Sequence, residues 1–206
     1  VGLVVVNLLV WIAMEGQGGS EEQQTLLRFG ASQAPLLLQG QWWRIVTAVF
    51  IHIGLRHLLS NMFALSVLGP SVLRAWGVGR FYTMYLLAGV AGNLVSFAIS
   101  PTSAIKAGAS GAILGLLGML AGARIRSLRA ADAPTSRFKT WHIIAMLVAF
   151  YGFVIGSGDV DHLAHIGGLV VGLLLALMMP PPGRLGPRAD RALGLLLGGA
   201  AMLATA

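Results

Sequence analysis

The chain has 206 residues, 56% of them hydrophobic and 10% charged, with a mean hydropathy of +0.80. Soluble domains carry about 25% charged residues, so this composition excludes an ordinary soluble domain and points to the membrane class. With no cysteine, disulfides and thiolate metal sites are excluded, and the formal charge of +7 falls between apolar runs rather than along a stripe, which argues against nucleic acid.

The first apolar run, "VGLVVVNLLVWIAM" at residues 1–14, is shorter than the roughly 20 residues a span needs and reads as a span cropped at its start. It lacks the basic n-region and small-residue cleavage site of a signal peptide. A long connection over 15–44 follows, and its Trp42 and Trp43 suit a membrane interface. Further apolar runs are expected at 45–68, 81–99, 107–123, 141–155 and 163–179, with a seventh beginning at 192. Stretches rich in Gly, Pro or charge separate most of them, among them "GPSVLRAWGVGR", "RIRSLRAADAPTSRFK" and "PPPGRLGPRADR". This is an all-α polytopic membrane protein, read as one domain over 1–206. Residues 180–191 form a linker and 192–206 the start of a seventh span.

Lysine and arginine orient the chain. Arg74, Arg80, Arg124, Arg126, Arg129, Arg137, Lys139, Arg184, Arg188 and Arg191 share one side, which is cytoplasmic by the positive-inside rule. The other side holds Arg28, Arg44 and Lys106, with Arg56 ambiguous, so the 15–44 loop is outside. The fourth and sixth runs then both enter the membrane from outside. Ser110 and His165 are expected in their first turns, at one depth.

Polar side chains within spans are costly and mark functional candidates. Here they are His52, Arg56, His57, Asn61, Asn93, Ser110, His162 and His165. Every carboxylate falls in or beside a loop, which disfavours a proton-coupled transporter. A serine hydroxyl becomes a useful nucleophile when a histidine takes its proton, and Ser110 with His165 can form that pair if the fourth and sixth helices touch. Glycines at Gly111 and Gly115, Gly118 and Gly122, and Gly168 and Gly172 have the spacing that lets helices approach closely in lipid. Ser110 near a helix N-terminus has free backbone N–H groups nearby. His57 and Asn61, four residues apart, share a helix face and can offer side-chain N–H groups to an oxyanion. The plainer readings are a packing serine, an interfacial histidine and a structural His–Asn pair. Their conjunction on three helices favours the dyad. His142 lies on the cytoplasmic side and His162 faces the aqueous loop. Asp159 and Asp161 could orient a histidine as a third triad member, but the plainer reading makes them solvated loop residues and favours a dyad.

These residues resemble the rhomboid intramembrane serine proteases. The match rests on "GASG" at 108–111, "AHIGGLVVG" at 164–172, "HIGLRHLLSNMFAL" from His52, and Trp43-Arg44 in the first outer loop. The resemblance implies a six-helix rhomboid-like core with a seventh C-terminal transmembrane helix. It implies cleavage of transmembrane protein substrates near the outer membrane face, with the lipid bilayer as the other partner. Ser110 would be the nucleophile and His165 the base and then the acid. The Ser110 backbone N–H, His57 and Asn61 would hold the oxyanion, and Gly108, Gly111, Gly115, Gly168 and Gly172 would pack the helices. No metal or organic cofactor is implied. Two positions depart from the family pattern: Leu114 stands where many relatives have Tyr, and Leu73 where many have Glu. Ala/Gly/Arg-rich composition and the three-proline linker point to a bacterial inner membrane. The competing reading is a catalytically inactive relative that binds transmembrane helices.

Overall fold

The computed structural model describes residues 2–129 and 160–180 together with positions 141, 143–145, 147–148, 188 and 192, and five apolar helices organise those described residues. In chain order, α1 is Gly2–Glu15, α2 Gln23–Phe29, α3 Ala34–Leu38, α4 Arg44–Thr47, α5 Gly54–Trp76, α6 Val78–Ile99, α7 Ser110–Arg129 and α8 His162–Met178. Helices α5, α6 and α7 are long and apolar enough to cross a membrane, while α1 and α8 are shorter apolar helices. Helical positions at 141, 143–145 and 147–148 fall in the expected fifth run. The rest of that run, most of the 180–191 linker and nearly all of the expected seventh span lie outside the described residues.

The second span is displaced from its expected limits of 45–68. Residues 44–50 form α4 and a 3₁₀ turn, 51–53 are not helical, and α5 then runs to Trp76. The "GPSVLRAWGVGR" stretch is therefore helix on both sides of Gly77 rather than loop. Pro70 sits inside α5, where it removes one backbone donor and is tolerated because neighbouring helices support the chain. Only Gly77 separates α5 from α6, and its φ of +79° permits the sharp reversal. Arg80, expected in a loop, is a buried residue of the first turn of α6. The fourth span likewise carries Arg124 and Arg126 within α7 rather than beyond it.

The 15–44 stretch is not an open loop. Its α2 and α3 bury Leu26 and Leu37, and Met14, Leu26, Ala31 and Ile51 form a small apolar cluster at this end of the bundle. Arg44 is buried; its guanidinium donates to Leu27 O at 2.6 Å, Ala31 O at 3.0 Å and Gln41 Oε1 at 2.7 Å. The loop is also stitched to the segment before α7. Ser32 and Lys106 exchange both backbone hydrogen bonds at 2.9 and 2.8 Å.

Helix α7 lies at the centre. Ala112, Ile113, Leu114, Leu116, Leu117 and Met119 are almost wholly buried. It packs most extensively on α8, then α6, and more lightly on α5. At the α7–α8 contact a Cβ built at Gly168 would collide with the Gly111 carbonyl, and one at Gly172 with the Gly115 carbonyl. Glycine on both helices is what allows backbone to meet backbone.

Candidate active site

The segment entering α7 is held residue by residue. Gly108 N–H donates to Ala48 O at 2.9 Å, and Ala109 N–H to His52 Nε2 at 3.4 Å. The Ala109 carbonyl then accepts the Ile113 N–H at 2.9 Å, which opens the helix. Ser110 is the first helical residue, where N–H groups have no carbonyl one turn back and the helix dipole is positive.

Gly108 has a φ of +133°, and a Cβ there would sit 2.7 Å from His57 Cε1, 2.8 Å from His57 Nε2 and 3.6 Å from Ser110 Oγ. It precedes α7 and packs against an imidazole. Glycine is favoured here by its backbone conformation and by the closeness of the His57 ring, a side chain of α5.

His165 is the fourth residue of α8 and is buried, and its Nε2 lies 2.6 Å from Ser110 Oγ. The two residues expected at one depth thus face each other across the α7–α8 contact. A dyad in which Nε2 takes the hydroxyl proton requires the ring proton on Nδ1. Ser110 is half-buried and its partner is buried.

His57 and Asn61 lie in the first two turns of α5. Ile53 N–H donates to His57 Nδ1 at 3.4 Å, which assigns the ring proton to Nε2, the nitrogen beside Gly108. Asn61 is buried, and its Nδ2 donates to the His57 carbonyl at 2.9 Å. That bond uses one of two amide hydrogens. Among the described residues no three His, Cys, Asp or Glu side chains converge as metal ligands would.

The family model for the Rhomboid domain matches residues 39–182. The chain belongs to the rhomboid family. It is 37% identical over 187 residues to Rhomboid protease GluP of Bacillus subtilis (strain 168), covering 90% of this chain and 36% of that protein. It is 31% identical over 168 residues to RHOMBOID-like protein 5 of Arabidopsis thaliana, covering 80% and 53%. It is 29% identical over 156 residues to Rhomboid-like protease 1 of Toxoplasma gondii, covering 74% and 52%. The chain thus spans about a third to a half of the length of these relatives, and it is an integral membrane protein of their fold.

Several residues of this rhomboid differ from their expected surroundings. Asp161, expected to be solvated, caps α8: its Oδ1 accepts the Ala164 N–H at 3.0 Å, and Ser96 Oγ donates to both carboxylate oxygens. An Asp immediately before an apolar helix is an N-cap signal, and that signal was present in the sequence. His52 supports the Ala109 amide, a role no local pattern discloses. His162 is exposed, edge-on to His165 with ring centroids 6.4 Å apart. Leu114 is buried in the core and Leu73 packs partly buried against it. His142 and Asp159 lie outside the described residues.

Proposed function

We propose that this chain is an intramembrane serine endopeptidase that cleaves transmembrane protein substrates near the outer face of a bacterial inner membrane. The observation that carries this reading is the 2.6 Å separation of Ser110 Oγ and His165 Nε2. The relatives from Bacillus and Toxoplasma, named as proteases, support it.

His165 Nε2 takes the hydroxyl proton as Ser110 Oγ attacks the scissile carbonyl. The oxygen that becomes negative is met by the Ser110 backbone N–H, His57 Nε2–H and the second Asn61 amide hydrogen. Each such donor contributes on the order of 10²–10³ in rate when aimed at the developing charge. The imidazolium gives its proton to the leaving amine, which departs and leaves an acyl ester on Ser110. His165 then deprotonates a water that attacks the ester, and the proton returns to Ser110 Oγ. The non-catalytic alternative has no need of a buried histidine within hydrogen-bond reach of a half-buried serine.

Covalent trapping tests the reading. The purified protein treated with a fluorophosphonate should gain one phosphonyl adduct, located on Ser110 by peptide mass spectrometry, and Ser110→Ala and His165→Ala should gain none. No adduct in the wild type, or an undiminished one in Ser110→Ala, contradicts it.

A further inference from the structure

Lys106 lies four residues before Ser110, and Asp161 lies four residues before His165. The two side chains meet: Lys106 Nζ is 3.5 Å from Asp161 Oδ2 and donates to Ser96 Oγ at 2.5 Å and to Ser100 O at 3.1 Å. Ser96, at 0% exposure near the end of α6, donates to Asp161 Oδ1 at 2.7 Å and Oδ2 at 2.5 Å. We propose that Lys106 and Asp161, joined through Ser96, are positioning residues that set the approach of His165 to Ser110.

Each end of the pair is anchored beside one of the two reacting residues. Asp161 grips the first turn of α8 twice. Its carbonyl accepts the His165 N–H at 3.1 Å and its carboxylate accepts the Ala164 N–H at 3.0 Å. Lys106 is equally fixed, because its backbone is paired in both directions with Ser32, and Gly108 beyond it is tied to Ala48. Glycine contacts hold α7 against α8 along their length, but first turns are where helices fray. The ion pair closes that end. An N-cap alone needs only an acceptor at 161 and would not require a lysine from another segment. Exposed salt bridges contribute little, but these side chains are only 18% and 24% exposed and share a buried hydroxyl.

The proposal rests on the Ser110–His165 reading, and its test separates the two. Asp161→Asn keeps an acceptor for the cap and for Ser96 while removing the charge. Lys106→Met keeps the stem and removes the ammonium. The full chain and these variants, with the double variant, are compared in fluorophosphonate labelling rate at Ser110, in kcat and KM on a transmembrane substrate, and in Tm. Each single change should lower labelling rate and kcat about tenfold, since small misplacements of reacting groups carry large rate penalties. KM should hold, and Tm should move by no more than about 4 °C. The double variant should be no slower than either single, the signature of one shared interaction. Unchanged labelling in the singles, or a double variant slowed by the product of the two effects, overturns the positioning role while leaving the dyad standing. A wild type that takes no label at Ser110 overturns both.

Discussion

At Gly108, backbone conformation and site geometry coincide. The residue holds φ at +133° against the edge of the His57 ring, and a Cβ there would sit 2.7 Å from His57 Cε1 and 3.6 Å from Ser110 Oγ. Gly108→Ala should cost about 1–2 kcal/mol from the left-handed backbone alone. It should also lower kcat at least about tenfold by displacing His57. Thermal unfolding and cleavage kinetics on the same preparation check both; an alanine variant with wild-type kcat removes His57 from the proposed oxyanion site. At this scale much of the candidate site could be read in advance. Ser110, His165, His57 and Asn61 stand out because a polar group inside an apolar run is conspicuous. Asp161 offers only a local signal, an acidic residue ahead of an apolar run, which points to a cap and not to the partners it meets. Its partners Ser96 and Lys106 are 65 and 55 positions away in the chain, beyond any local pattern.

Among the helices, the α7–α8 contact decides whether a site exists. Its glycine spacing was visible in the sequence, since "small-xxx-small" states a close approach without naming the partner. The structure supplies the partner and adds α6, whose Gly92 faces the Ala164 carbonyl and Gly168. Gly168→Val would force a side chain onto the Gly111 backbone, which cannot yield as a side chain could. The expected outcome is a loss of about 3 kcal/mol in stability, together with loss of activity. Gly16→Ala, where a Cβ meets only ordinary contacts, should stay within about 0.5 kcal/mol. Chemical unfolding in detergent compares them, and equal stability of the two would dismiss the glycine contact as the organising interface. Helix ends were less legible. Punctuation by Gly69-Pro70 and by arginines reads as loop, whereas α5 and α7 carry those residues within the helix because tertiary contacts support them.

Across the whole molecule, the outward surface of the helices is apolar, with Phe63 73%, Leu59 54% and Leu174 48% exposed. Composition already required such a belt. Phe63→Lys, near the middle of α5, should reduce membrane-inserted protein by an amount matching about 2.5–3.5 kcal/mol, whereas Phe63→Leu should not. Glycosylation-site mapping of inserted and uninserted α5 measures the difference, and unimpaired insertion of the lysine variant would mean that this face meets protein or water. The polar site, by contrast, gathers at one end of the bundle, where α5, α7 and α8 begin and where Ser32 pairs with Lys106 ahead of α7. The measurement that tests the central claim most directly is cleavage of a model transmembrane substrate in proteoliposomes by wild type, Ser110→Ala and His165→Ala. Product from the wild type alone, with all three proteins equally folded, is the predicted result. Equal product from all three, or none from the wild type across several substrates, would contradict the account.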